Sequence, residues 1–167
     1  MTEEAVRALI RGFLKKNNLC DSYPVNLNKI ADIVGASIFF HYLPEKISGF
    51  VLQGNNKDYP YIIGVNKSKH YHHQRFTIAH ELSHVILRHI ERKKSLMDSS
   101  NIYNLSFIDK GIEREANIGA SELLVPTDKL KKILFNNFSI ETAAKFFMVS
   151  KKVIEYRIKE VNSYLPL

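Results

Sequence analysis

Five residues, His80-Glu81-Leu82-Ser83-His84, combine side chains that hold a metal ion with one that moves a proton. On a helix, residues four apart stand one above the other, so both imidazoles can reach the same ion. Glu81, one residue along, brings its carboxylate beside the ion rather than onto it, within reach of a water held there. Two histidines do not complete a catalytic zinc site, which takes three protein ligands and leaves one position open. A third histidine six residues after the second is excluded, because that position is Ile90. His89 is one residue off and reads as a surface residue near the helix end.

The third ligand is sought in Lys110 to Leu123, a second helical stretch with small residues at Ala116, Gly119 and Ala120. Glu113 and Asn117 are four apart and share one face, whereas Glu115 points roughly the other way and Glu122 lies further along. Helical geometry favours Glu113 over Glu115 as the third ligand. Asn117, one turn from Glu113, is placed to hydrogen-bond and orient a ligand histidine. The fate of most helical glutamates is solvent exposure, so the pairing with the histidine motif carries the reading.

The run Arg75-Phe76-Thr77-Ile78-Ala79-His80-Glu81-Leu82-Ser83-His84, then Glu113-Arg114-Glu115-Ala116-Asn117 and Ser121-Glu122-Leu123-Leu124-Val125-Pro126, resembles the ImmA/IrrE family of zinc metallopeptidases. The likeness extends over most of the chain and includes the strands around Gly49 and Tyr61–Asn66. It implies His80, His84 and Glu113 as ligands of Zn2+ and Glu81 as general base. Ser83 departs from the glycine most often found there, a small-for-small change. The resemblance further implies a cytoplasmic, bacterial or phage-borne peptidase. Its protein substrate would be a helix-turn-helix repressor encoded nearby, whose cleavage derepresses a mobile element or a stress response. In the implied chemistry, Glu81 takes a proton from the attacking water and delivers it to the leaving amine. Tyr71, His72, His73, Tyr103 and Arg114 are the available oxyanion donors, each reading more simply as a surface or packing residue.

The elements that must position these groups follow from hydrophobic periodicity. Val6, Leu9, Ile10, Phe13 and Leu14 predict a helix over Thr2 to Asn17, and Leu27, Ile30 and Ile33 a short one from Asn26 to Val34. Ser37–Tyr42, Ser48–Leu52 and Tyr61–Val65 are rich in β-branched and aromatic residues, separated by turn residues, and predict an antiparallel meander. Long helices follow over 74–90 and 110–123. Phe76, Ala79, Leu82, Ile86 and Ile90 form the stripe that holds the first against the sheet. Thr127, Ser139 and Ser150 are placed to cap helices over 128–135, 140–147 and 151–161. Together these make an α+β, zincin-like domain over 1–127, with helix-turn-helix-like helices over 128–167 packed on it. Ser48-Gly49-Phe50-Val51 reads as the sheet edge that pairs with an extended substrate, with a bulge at Gly49 as the competing reading.

Composition narrows the classes. No stretch approaches the roughly 20 apolar residues of a membrane span, and Met1-Thr2-Glu3-Glu4 lacks the start of a signal peptide, so neither membrane insertion nor export is expected. The single cysteine, Cys20, excludes an intramolecular disulfide framework and reads as a small buried thiol. The net charge of +7 raises nucleic-acid binding through Ile140–Ile154 as an alternative function, alongside a non-catalytic anti-repressor. Glu155 and Glu160 interrupt the would-be recognition helix, and Val153, Ile154, Ile158 and Val161 read as its buried face, so direct nucleic-acid binding is not expected. Residues 1–128 hold 16 basic and 14 acidic residues, and residues 129–167 hold 8 and 3, so the surplus sits in the C-terminal helices.

Overall fold

A computed structural model describes residues 1–91 and 110–163. In chain order the elements are α1 (Glu3–Lys16), α2 (Leu27–Val34), β1 (Ala36–His41), β2 (Gly49–Gln53), β3 (Tyr61–Asn66), α3 (Tyr71–Ile86), α4 (Lys110–Leu124), α5 (Thr127–Phe135), α6 (Ile140–Phe147) and α7 (Lys151–Ser163). The class is α+β, with helices grouped around a three-stranded sheet.

The sheet is not an antiparallel meander. Its order is β1-β3-β2: β3 lies between the other two, parallel to β1 and antiparallel to β2. The chain leaving β1 crosses the end of β3 before returning as β2. Asn66, at that end and fully buried, holds the crossing in place. Its amide donates to the carbonyls of Leu43, Pro44 and Ile47, and its Oδ1 accepts from Leu43 N, Ser68 N and Ser68 Oγ. One buried side chain thus satisfies the backbone of a loop that would otherwise be unpaired.

α3 packs on β2 and β3 with one side and on α4 with another, and α1 lies against α4. The crossing of α3 and α4 is close because Gly119 faces Ser83, which is itself fully buried. A Cβ at Gly119 would sit 2.8 Å from both Cβ and Oγ of Ser83, nearer than van der Waals packing permits. Ala116 and Ala120, also fully buried, extend this small-residue seam.

In α1, Val6, Ile10 and Leu14 are buried as expected, but Leu9 is exposed and Arg7 takes an inward place beside Glu122. Ile33 of α2 is likewise exposed. Cys20 is exposed rather than buried. After α1 the chain reverses through Asn18, which has a positive φ, and Leu19 fills the apolar site instead. Ser139 and Ser150 cap α6 and α7, accepting from Thr142 N and Val153 N. Thr127 does not cap α5: it is the first helical residue, and Glu122 Oε1 accepts its N–H at 3.0 Å.

The C-terminal helices are tied to α4 by Arg157, almost fully buried on α7. It donates to Glu122 Oε2 at 2.7 Å, to Val125 O and to Thr127 Oγ1. Ile154 and Val161 are buried on α7 as expected, and Val149 fills the turn between α6 and α7. Met148 in that turn takes a positive φ of 55°, the conformation for which glycine is usual. Among the described residues no helix is long and apolar enough to cross a membrane.

Candidate metal centre

α3 begins three residues earlier than its periodicity suggests, because the His70 side chain accepts from His72 N at its start. Its second half carries His80 and His84, whose rings lie edge to face with centroids 4.8 Å apart. α4, drawn close by the seam at Gly119, brings Glu113 opposite them. His80 Nε2 and His84 Nε2 are 3.1 Å apart. Glu113 Oε2 lies 3.2 Å from His80 Nε2, and Oε1 lies 3.5 Å from His84 Nε2. Among the described residues, this is the one group of three such side chains whose donor atoms converge closely enough to hold an ion.

The triangle fits a small tetrahedral cation. With metal–ligand bonds of about 2.0–2.1 Å, the ligand atoms of a zinc site stand about 3.3–3.4 Å apart. The three observed edges bracket that value. Two imidazole nitrogens and a carboxylate converging on one point are also the donor set that such a cation takes. Behind His80, Nδ1 lies 3.0 Å from Asn117 Oδ1, so the ring can donate outward while Nε2 faces the centre.

Glu81 is buried and lines a cleft of about 460 Å3 with His80, Glu113, Thr77, His73, Phe76 and the segment from Lys46 to Gly49. The loop entering β2 and the first residue of that strand, Gly49, form one wall, and among the described residues β2 has a sheet neighbour on one side only. Gly49 is in regular register opposite Val65, so no bulge is present. Its glycine is required by proximity instead: a Cβ there would lie 2.4 Å from Thr77 Cγ2 and 2.7 Å from Gly64 O. Phe50 points to the opposite face of the sheet, where its ring covers Gly64, and its side chain does not line the cleft.

Of the candidate oxyanion donors, His73 lines the cleft, with Nε2 2.8 Å from Ser48 Oγ. Tyr71 reaches toward Met148 and His72 lines a separate hollow beside α6, while Arg114 is exposed and paired with Glu3. Tyr103 lies outside the described residues.

His89 is not a surface residue. α3 ends at Ile86, Arg88 takes a positive φ of 58°, and the chain turns so that His89 is buried beneath the centre. Its Nδ1 lies 3.0 Å from His84 Nδ1, and its Nε2 lies 3.1 Å from Glu115 Oε2. Glu115 also pairs with the Met1 amine through its other oxygen. Burial opposes ionisation of Glu115, but the Met1 ammonium and His89 outweigh it and hold the carboxyl below its usual range. Glu115 therefore points away from the metal triangle, as its helical position indicates, but into the interior rather than to solvent.

The chain is 29% identical over 142 residues to Metallopeptidase ImmA of Bacillus subtilis, a match covering 83% of this chain and 78% of the relative. Its fold is similar to that of a solved Mycobacterium tuberculosis transcriptional regulator, with a TM-score of 0.64 at 13% identity. That likeness covers 93% of this chain but only 46% of the longer regulator, and it bears on the fold alone. Residues 31–159 match the peptidase family described as IrrE N-terminal-like domain. The match spans the sheet, both helices of the centre and most of the C-terminal segment, and the chain belongs to that family.

Proposed function

We propose that the protein is a zinc-dependent endopeptidase that cleaves a helix-turn-helix transcriptional repressor in the cytoplasm, derepressing a phage, a mobile element or a stress response. The observation that carries this reading is the triangle of His80, His84 and Glu113, with Glu81 beside it in a cleft bordered by the start of β2 at Gly49. His80, His84 and Glu113 are the residues that would hold the ion. When bound, the ion polarises the scissile carbonyl and acidifies water, for which a two-histidine, one-carboxylate donor set suits zinc. Glu81 takes the proton from the water attacking the carbonyl carbon and delivers it to the departing amine nitrogen. Asn117 keeps the His80 ring turned toward the ion. The edge of β2 at Gly49 and Phe50, unpaired in the sheet among the described residues, receives the substrate as an added strand, through main-chain groups rather than the Phe50 ring.

The catalytic part spans 1–127, and 128–167 form a helical subdomain packed on it that docks the substrate. α7 turns Ile154, Arg157 and Val161 inward and presents Lys152, Glu155, Tyr156 and Lys159 outward. That mixed outer face suits a protein partner better than a DNA backbone. The basic surplus of the segment favours an acidic surface on the partner, and cleavage then slows as salt is raised.

The test is incubation with a helix-turn-helix repressor encoded beside the gene, with and without chelator. Cleavage is expected with zinc, lost on chelation and restored on adding zinc back. Glu81→Gln is expected to lower cleavage by about 100- to 10,000-fold while retaining bound zinc. Relief of repression by the chelated protein, or unchanged turnover in Glu81→Gln, defeats the reading.

A further inference from the structure

We propose that His89 is a positioning residue of the metal centre: backed by Glu115, it accepts the Nδ1–H of His84 and so turns the Nε2 lone pair of His84 toward the ion. This rests on the assignment of His80, His84 and Glu113 as ligands.

The hydrogen positions follow from the heavy atoms. Two imidazole Nδ1 atoms 3.0 Å apart need one donor and one acceptor. Ligation through Nε2 requires His84 to carry its proton on Nδ1, which makes it the donor. His89 then accepts on Nδ1 and carries its own proton on Nε2, where Glu115 Oε2 lies 3.1 Å away to receive it. The opposite assignment, with His89 neutral and protonated on Nδ1, would set a bare Nε2 against a carboxylate and protonate the ligand atom of His84. Glu115 thus selects the tautomer of His89, and His89 selects that of His84.

The two ligand histidines are served differently. His80 donates to an amide oxygen of Asn117, which needs little further fixing. His84 faces a second imidazole, whose acceptor atom exists only while its other nitrogen is protonated. That dependence gives the buried Glu115 a purpose that an exposed helical carboxylate would lack. The left-handed turn at Arg88, unusual for a residue with a side chain, aims His89 inward at this point.

The tests are zinc affinity by chelator competition and long-range 1H–15N spectra of the imidazoles, neither of which reads activity. In the zinc-loaded parent, His89 is expected to be neutral with its proton on Nε2. A charged His89, or one protonated on Nδ1, overturns the proposal without needing any variant. His89→Leu is expected to weaken zinc binding by about 10- to 100-fold. His89→Asn, which keeps an acceptor near the Nδ1 position, is expected to recover most of that loss, a rescue that mere space-filling would not produce. Folded His89→Leu that binds zinc like the parent defeats the proposal while leaving the metal centre intact. A parent that takes up no zinc defeats both.

Discussion

At the residue scale, each ligand must be held as well as present. Asn117 Oδ1 stands 3.0 Å from His80 Nδ1, on the side of the ring away from the triangle. Replacing it with Leu keeps the volume but removes the acceptor, leaving the His80 ring free to rotate or change tautomer. Asn117→Leu is therefore expected to lower zinc affinity by about 10- to 100-fold, whereas Asn117→Asp, which retains the acceptor, preserves it. Chelator competition measures both, and equal affinities for the parent and Asn117→Leu would show that the contact does not orient the ring. Asn117 could be found from the sequence because helix periodicity carries a residue's facing over several turns. His80, His84 and Glu113 were accessible for the same reason. His89 was not, since its direction depends on where α3 stops. That stop lies at Leu87 and Arg88, with neither glycine nor asparagine to mark the positive φ of Arg88. A third histidine five residues after the motif was the visible signal, and only the helix end gave it meaning.

At the element scale, the centre exists because α3 and α4 approach more closely than bulky side chains would permit. Ser83 is accommodated by Gly119 across the seam. Gly119→Ala would press a Cβ to 2.8 Å from Ser83 Cβ and Oγ, and is expected to destabilise by about 1–3 kcal/mol through overpacking. In a Ser83→Gly background the same substitution should cost much less, because both opposing atoms are gone. Urea unfolding of the four proteins measures the coupling, and strictly additive effects would show that the seam is not the constraint. The small residues of α4 were readable as a seam, but the sheet order was not. Strand-forming residues reveal each strand, while neighbours in sequence need not be neighbours in space. Here Asn66 holds the loop that carries the chain over the end of β3, and nothing in its residue type announces six hydrogen bonds.

For the whole molecule, the question is what joins the nearly neutral part bearing the centre to the basic helices that follow. The sequence shows where the charge lies, but not that three basic residues from two distant segments meet one carboxylate. Glu122, fully buried near the end of α4, accepts from Arg7 and Arg11 of α1 at 3.4 Å each and from Arg157 of α7 at 2.7 Å. It also accepts from both the N–H and the hydroxyl of Thr127. Such a cluster adds little over well-packed apolar side chains, but removing one member leaves buried charge without a counterpart. Arg7 and Arg157 are both almost completely buried, and although Glu160 reaches each of them, it is a partly exposed partner. Glu122→Ala is thus expected to cost about 3–5 kcal/mol, read as a fall in the urea midpoint. Glu122 lies nine residues beyond Glu113, about 13.5 Å along the helix, so zinc affinity of the folded fraction should change little. An unchanged midpoint would mean that the arginines find other partners and that apolar packing alone seats the C-terminal helices. Lost zinc affinity without lost stability would instead place Glu122 in the service of the centre, with α4 transmitting its position to Glu113.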